Sequence, residues 1–536
     1  MQTDRDITSP ICSQAGCLPR DLTCDVVIVG CGVAGLYTAL SLPQGTKTIM
    51  LSKGAIDECD SMLAQGGICV LPEAEDYDAY TEDTMRAGHY ENRRESVDIL
   101  LRSSRSAIND LLALGVDLER AADGSLAFTR EGAHSRPRIC YHADVTGQAI
   151  TSKLLERVRE LPWVTIVEHM ACIDLLEDAA AAEAGGAADA AAAAANDVAS
   201  PASGVAPRCT GVVAVPVTEG ASTRKASELA GRAPEDSVNI HARAVVLATG
   251  GIGGLYERST NYPQLTGDAC DIAAAHGAVL EHMDYVQIHP TSLYEGPQAT
   301  GRAFLISESC RGEGAVLLNR AGERFCDELQ PRDVVTAAIQ RQMELDDMPY
   351  VRLSFERVPD DVIRGHFANI YEHCLAAGYD LCHEPIPVVP AQHYFMGGIH
   401  VDRDSATTVP GLYAVGETSC TGVHGKNRLA SNSLLEALVF ARRAAFRIAK
   451  GESLPVECVG EPPLDGRHRA TGSYRSGLDV LTRDEGASPA GTAAKAGARP
   501  GANGTCGPRS DARTAAAEYD AAALLVTAGN TREEVR

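Results

Sequence analysis

The tightest constraint on this fold is a single turn. The apolar run Cys24-Asp-Val-Val-Ile-Val-Gly30 leads directly into Gly30-Cys31-Gly32-Val33-Ala34-Gly35, which opens an amphipathic stretch from Leu36 to Leu42 that Pro43 ends. Strand, glycine turn and helix in this order predict a dinucleotide site. Gly30 makes the tight turn, Gly32 lets backbone approach a pyrophosphate, and Gly35 lets the helix pack on the strand, with phosphates at the helix start. A second β run, Thr46 to Leu51, ends in Ser52-Lys53-Gly54, where the usual fingerprint carries an acid for the ribose. The missing acid speaks against an NAD enzyme and leaves Ser52 and Lys53 as candidate nucleotide contacts.

Three further stretches have the same glycine-rich character. Ala242 to Gly251 reads as a buried strand ending in glycines. Leu412 to Val415 reads as another, followed by Gly416, by Glu417 as a candidate for sugar hydroxyls, and by Arg428, whose guanidinium suits a two-point grip on a carboxylate. The helix after it is expected to begin near Ser433, with Ser431 or Asn432 as its cap. Asp60-Ser-Met-Leu-Ala-Gln-Gly-Gly-Ile68 reads as a loop pressed against a flat ligand, and Gly267-Asp268 puts an acid at the start of a helical segment, Ala269 to Gly277. Thr129 to Arg138 is dense in charge and glycine, and taken alone it reads as a solvated loop.

The remaining sequence sets the organisation. A chain of 536 residues with 45% hydrophobic content can bury a large core, and no apolar run approaches a membrane span. The net charge of −24 argues against nucleic acid as a partner. The 17 cysteines, odd in number and without CxxC spacing, read as reduced small hydrophobes and not as a metal site, and a cytoplasmic location is expected. Val164 to Val167, Cys172 to Leu176 and Gly211 to Val215 read as strands, with a low-complexity alanine-rich insertion between the last two. From Asp284 to Val389 the βαβ rhythm breaks, and Gln287-Ile-His-Pro-Thr291, Ser307-Glu-Ser-Cys-Arg311 and Pro331-Arg-Asp-Val-Val335 supply a separate chemistry. Beyond Lys450 apolar periodicity is poor, apart from a short helical segment expected at Thr514 to Ala528.

The glycine-rich elements at Gly30 to Gly35, Thr249 to Gly251 and Leu412 to Glu417, with the Ala64-Gln-Gly-Gly67 loop, resemble the succinate dehydrogenase and fumarate reductase flavoprotein family. Within it, Arg130-Glu-Gly-Ala-His-Ser135 and Arg138-Ile-Cys-Tyr-His-Ala-Asp-Val-Thr-Gly147 resemble the L-aspartate oxidase branch. The resemblance covers most of 24–447. It implies an α/β fold: a Rossmann-like FAD-binding domain with an inserted α+β capping domain, and a reduced, partly disordered C-terminal region is expected. The boundaries expected are an N-terminal extension at 1–23, FAD-binding parts at 24–283 (with the insertion at 179–207) and 392–450, a cap at 284–391, and a low-complexity remnant of a helical domain at 451–536.

The same resemblance implies roles. FAD would be lined by Gly30, Cys31, Gly32, Val33, Ala34, Gly35, Ser52 and Lys53, by Asp60, Ser61, Met62, Leu63, Ala64, Gln65, Gly66 and Gly67, and by Asp268, Glu417, Ser433 and Leu434. Its attachment would be non-covalent, because Asp60-Ser61-Met62 offers no histidine where the respiratory relatives link the flavin. His289, Ser307, His393 and Arg428 would hold a four-carbon dicarboxylate, and Glu131 would favour the ammonium group that separates aspartate from succinate. Arg332, served by a Glu308 and Arg311 relay, would manage a substrate proton while hydride passes to the flavin. The implied product is iminoaspartate, with reoxidation by dioxygen or fumarate and delivery to quinolinate synthase, as the first step of de novo NAD biosynthesis. A soluble fumarate reductase and a silent flavin-binding protein are the alternatives.

Overall fold

The computed structural model describes residues 11–12, 19–178, 207–218, 220–231, 236–466 and 475–481. The alanine-rich insertion, except its last residue, and the helix expected at 514–528 lie outside these residues.

Six parallel strands form the central sheet, in the spatial order Ile11–Cys12, Val164–Val167, Thr48–Leu51, Val26–Val29, Ala244–Leu247 and Leu412–Ala414. The runs Val-Val-Ile-Val, Thr-Ile-Met-Leu and Ala-Val-Val-Leu are buried at every position, as a parallel sheet covered on both faces requires. Alternate residues enter different cores. Val26, Ile28, Met50 and Val246 pack with the helices Val33–Ser41, Thr146–Arg159 and Asn432–Lys450. Val27, Val29, Ile49, Leu51, Val245 and Leu247 pack with a four-stranded sheet of Asp21–Thr23, Val238–His241, Arg208–Pro216 and Met170–Asp178, and with the helix Asp268–Ala275. The period-two alternation of each strand thus stacks the layers.

The inserted segment has its own core and is α+β. Val286–Leu293, Ile386–Phe395, Val351–Ser354 and Val316–Leu318 form an antiparallel sheet, packed with the helices Arg332–Asp346, Asp360–Gly365 and Ala368–Ala376. Its two long strands pair from Val286 opposite Phe395 to Leu293 opposite Val388, with register shifts at Gln287/Ile288 and between His289 and Ser292. Such irregularities re-aim side chains. They fall where this sheet carries Gln287, His289 and His393. Among the described residues no helix is long and apolar enough to cross a membrane.

Candidate active site

A cavity runs from the Gly30 turn, along the 60–67 loop, to the inserted sheet. At its first end Gly30 has φ of +112°, and a Cβ there would stand 2.1 Å from the Ala248 carbonyl oxygen, so the turn needs glycine on two counts. A Cβ on Gly35 would stand 2.1 Å from the Gly30 oxygen, which shows its work to be helix packing; Gly35 does not line the cavity. Ser61 Oγ accepts from the Val33 amide at 3.1 Å and ties the 60–67 loop to the helix start. Lys53 pairs with Asp268 at 2.7 Å and donates to Thr266, so the cation after the second strand is held by the acid at the next helix start.

Two half-buried carboxyls on the cavity wall follow. Glu417 accepts from the Phe395 amide at 2.9 Å, and burial, with Asp60 nearby, pushes its carboxyl up to about 8. Asp60 accepts from the Tyr262 amide through Oδ1 at 2.8 Å, and burial pushes it up to about 7.

At the far end lies a cluster of opposite charges. Arg332, the first residue of its helix, donates from Nε to Glu308 at 2.6 Å and from a terminal nitrogen to Gln287 Oε1 at 2.8 Å. Arg428 donates to the same oxygen at 3.2 and 3.1 Å and to Ser433 Oγ, and its guanidinium lies 4.3 Å from the Tyr394 ring centre. One amide oxygen therefore serves two buried guanidiniums. Burial, then Arg332, pulls Arg428 down to about 10, so it remains a cation at neutral pH. Burial opposes ionisation of Glu308, but Arg332 and Arg311 outweigh it and hold the carboxyl below its usual range. Arg311 stands behind Glu308 at 3.7 Å and donates to the Glu328 carbonyl at 2.5 Å.

The loop dismissed as solvated is buried where it counts. Arg138 is fully buried, with Asp76 at 2.8 Å and Asp83 at 2.7 Å, and Asp83 also accepts from the Ser135 amide and hydroxyl. His134 bridges Arg138 and the Ala430 carbonyl, and burial pulls it down to about 4, which keeps it neutral. This network places Glu131 in the cavity, where its carboxylate accepts from Ser309 at 2.9 Å and Ser431 at 2.5 Å. Burial, then Glu308, raises the Glu131 carboxyl. A Cβ on Gly66 would stand 2.5 Å from Glu131 Oε1, so this glycine admits the carboxylate.

Both imidazoles in the cluster are neutral. His289 and His393 meet edge to face at 5.0 Å, burial and then Arg332 drives each well below its usual value, and His393 Nδ1 is 2.7 Å from Thr260 Oγ1. His289 Nε2 is buried with no hydrogen-bond partner among the described residues.

Comparison with known proteins places this geometry. The FAD binding domain family matches residues 25–434. The L-aspartate oxidase of Clostridium perfringens is 43% identical over 424 residues, 79% of this chain and 86% of that protein. That of Neisseria meningitidis is 37% identical over 447 residues, 82% and 80% of the two chains. The chain belongs to the L-aspartate oxidase family. Among solved structures, an E. coli quinol fumarate reductase carrying a point mutation is similar with a TM-score of 0.67 at 28% identity, covering 82% of this chain and 72% of that one.

The match to the FAD binding domain family makes FAD the cofactor, and the cavity fits it. Backbone can approach a ligand at Gly30 and Gly32, while Asp60 Oδ2 and Gln65 Oε1 are buried there without partners among the described residues. Of the residues singled out in the sequence, the structure brings together in one cavity Gly30 to Ala34, Ser52, Lys53, Asp60, Ser61, Leu63 to Gly67, Glu131, Asp268, His289, Ser307, Glu308, Arg332, His393, Glu417, Arg428, Ser433 and Leu434. Gly35, Met62 and Arg311 do not line it; Met62 instead accepts from Ser152 Oγ at 3.7 Å.

Ser307 caps the short helix Glu308–Gly312, with Oγ accepting from the Ser309 amide at 3.3 Å. The helix expected near Ser433 starts at Asn432, and Ser431 does not cap it: its φ is +64° and its hydroxyl goes to Glu131. Sequence reasoning missed Gln287, Ser309, Tyr394 and Arg302. Gln287 stood in a quoted motif, and two arginines on separate segments needing a shared acceptor was the signal available for it.

Proposed function

We propose that this chain oxidises L-aspartate to iminoaspartate, the first step of de novo NAD biosynthesis, and that the cluster around Gln287 is the site. The carrying observation is the balance of charge. Among the described residues Arg428 pairs with no carboxylate, and with Arg332 it offers two buried guanidiniums on one side of a cavity that Glu131 lines from another segment. Glu308 already offsets Arg332, and Arg311 stands behind it, so with Arg428 and Glu131 the cluster sets three guanidiniums against two carboxylates, and the surplus cation complements the net negative charge of aspartate. Arg428 is the buried charge left for a substrate carboxylate to offset.

FAD, when bound, supplies the two-electron acceptor, and the 60–63 segment holds it without a covalent link, since Asp60, Ser61, Met62 and Leu63 offer no imidazole. Arg428 and neutral His393 and His289 orient the carboxylates, with Ser307 at the edge of the cluster. Glu131, held by two serine hydroxyls, accepts from the substrate's ammonium and repels an extra anion in its place. Arg332 first passes a guanidinium proton to Glu308, the neutral guanidine then takes the substrate's proton, and Glu308, backed by Arg311, stabilises the cation once its own proton has left. Dioxygen or fumarate takes up the electrons, and quinolinate synthase receives the unstable imine. The described cysteines are free thiols, which suits a reducing cytoplasm.

Anaerobic bleaching of the yellow protein tests the reading. Aspartate should bleach it faster than succinate, and Arg332→Leu should leave FAD bound but unbleached. Preference for succinate would instead identify a fumarate reductase, and bleaching of the Leu variant at the normal rate would remove Arg332 from the mechanism.

A further inference from the structure

Asp60 has no part in the chemistry above, yet it lines the cofactor cavity with one carboxyl oxygen unpartnered among the described residues. It opens the 3-10 turn Asp60–Leu63. Oδ1 is fixed by the Tyr262 amide at 2.8 Å, whereas Oδ2 is buried and accepts no hydrogen bond among the described residues. The Asn261 amide donates to the His393 carbonyl at 3.1 Å and also stands beside the Asp60 carboxyl, where with Tyr262 and Arg302 it favours the ionised form against the effect of burial. The charged and titratable groups facing Asp60 are Arg302 and Tyr262 from one side, Cys59 from its own segment and Glu417 from the sheet edge. Arg302 is the cation among them, and its charge pulls against the effect of burial without overcoming it. A carboxyl so placed lies on the cavity wall, fixed at one oxygen and without a hydrogen-bond partner at the other among the described residues.

We propose that the Asp60 carboxyl is a proton-holding contact of the bound FAD, and that loading or releasing this proton changes how strongly the cofactor holds electrons. The inference rests on FAD filling this cavity. A neutral carboxyl donates a hydrogen bond from Oδ2, and an ionised one places a negative charge there. Added electrons make the cofactor more negative, so they raise the affinity of Asp60 for a proton; by reciprocity, the proton raises the affinity for electrons. Burial already brings the group to about 7, so the switch operates at neutral pH. The cofactor is then the better oxidant on the acid side, and its midpoint potential falls more steeply with pH between the Asp60 pKa values of the oxidised and reduced protein.

The experiment is spectroelectrochemistry of the holoprotein from pH 5.5 to 9, wild type against Asp60→Asn, with the FAD content of each measured first. Wild type should show the steeper segment and a one-proton shift of the oxidised flavin band; Asp60→Asn, neutral at all pH, should lose both and retain the acid-side spectrum. Arg302→Gln should move the wild-type transition to higher pH, which keeps the test alive if Asp60→Asn binds no flavin. The proposal is overturned if Asp60→Asn keeps the transition, if Arg302→Gln leaves it in place, or if Glu417→Gln alone removes it. Wild type lacking FAD would instead sink the cofactor assignment.

Discussion

Replacing Glu131 by Gln keeps the shape of the side chain and removes its charge. In the structure this carboxylate is 3% exposed and accepts from Ser309 and Ser431 on separate segments, so little water screens it and its position is fixed before substrate arrives. Losing the anionic partner of a buried ammonium costs about 2–4 kcal/mol, which lowers kcat/KM for aspartate roughly 30- to 700-fold. Succinate lacks the ammonium, so its oxidation should be unchanged or faster. Stopped-flow bleaching of the flavin under nitrogen, with either substrate, measures both. Acidity adds a second signature. Because burial and Glu308 raise the Glu131 carboxyl, kcat/KM for aspartate should fall on the acid side as Glu131 takes up a proton, and this limb should be missing in Glu131→Gln. Equal losses with both substrates would refute the charge argument, since a general loosening of the cavity would then explain the variant.

Other perturbations probe the scaffold. Arg138→Met removes the fully buried cation that Asp76 and Asp83 share, leaving Asp76 only Arg136 at 3.6 Å and Asp83 only the half-exposed Arg86 at 2.8 Å, and should cost about 1–3 kcal/mol in chemical denaturation, with the preference for aspartate over succinate reduced as the Glu131 loop loosens. The FAD-free protein should lose stability as pH rises. Asp60 is raised from the ordinary carboxylate range to about 7, so its contribution is complete below that range and is withdrawn by pH 7 to 8, by at most about 4 kcal/mol because the side chain is only half-buried. Calorimetry of Asp60→Asn without FAD should show a flatter profile. Gly30→Ala forces a Cβ against the Ala248 carbonyl at a left-handed backbone position, and a several-fold or greater loss of FAD affinity, read by fluorescence titration, is expected.

The sequence made the local demands legible. Gly30 and Gly35 announce their turn because only glycine fits where strand, helix and a neighbouring carbonyl converge, and the alternation in 26–29 and 48–51 follows from a sheet covered on both faces. The quoted motifs around Glu131, His289, Arg332, His393 and Arg428 carried the catalytic end because each is a short run of unusual composition. Contacts between distant segments were not legible. Ser431 looked like a helix cap, yet its hydroxyl reaches Glu131 across 300 positions. Asp60 looked like one polar residue of a loop; its burial is set by Tyr262, Arg302 and Glu417, which reach it from three other segments. Charge density made 129–138 look solvated, because nothing local shows that Asp76 and Asp83 neutralise Arg138 from a separate helical segment.

The shared oxygen of Gln287 has a consequence for selectivity by length. Both guanidiniums are tethered to one atom, so the span between them is gauged by a single side chain and neither can drift without the other. Discrimination against a diacid one methylene longer, such as glutamate, is then a property of the gauge more than of either arginine.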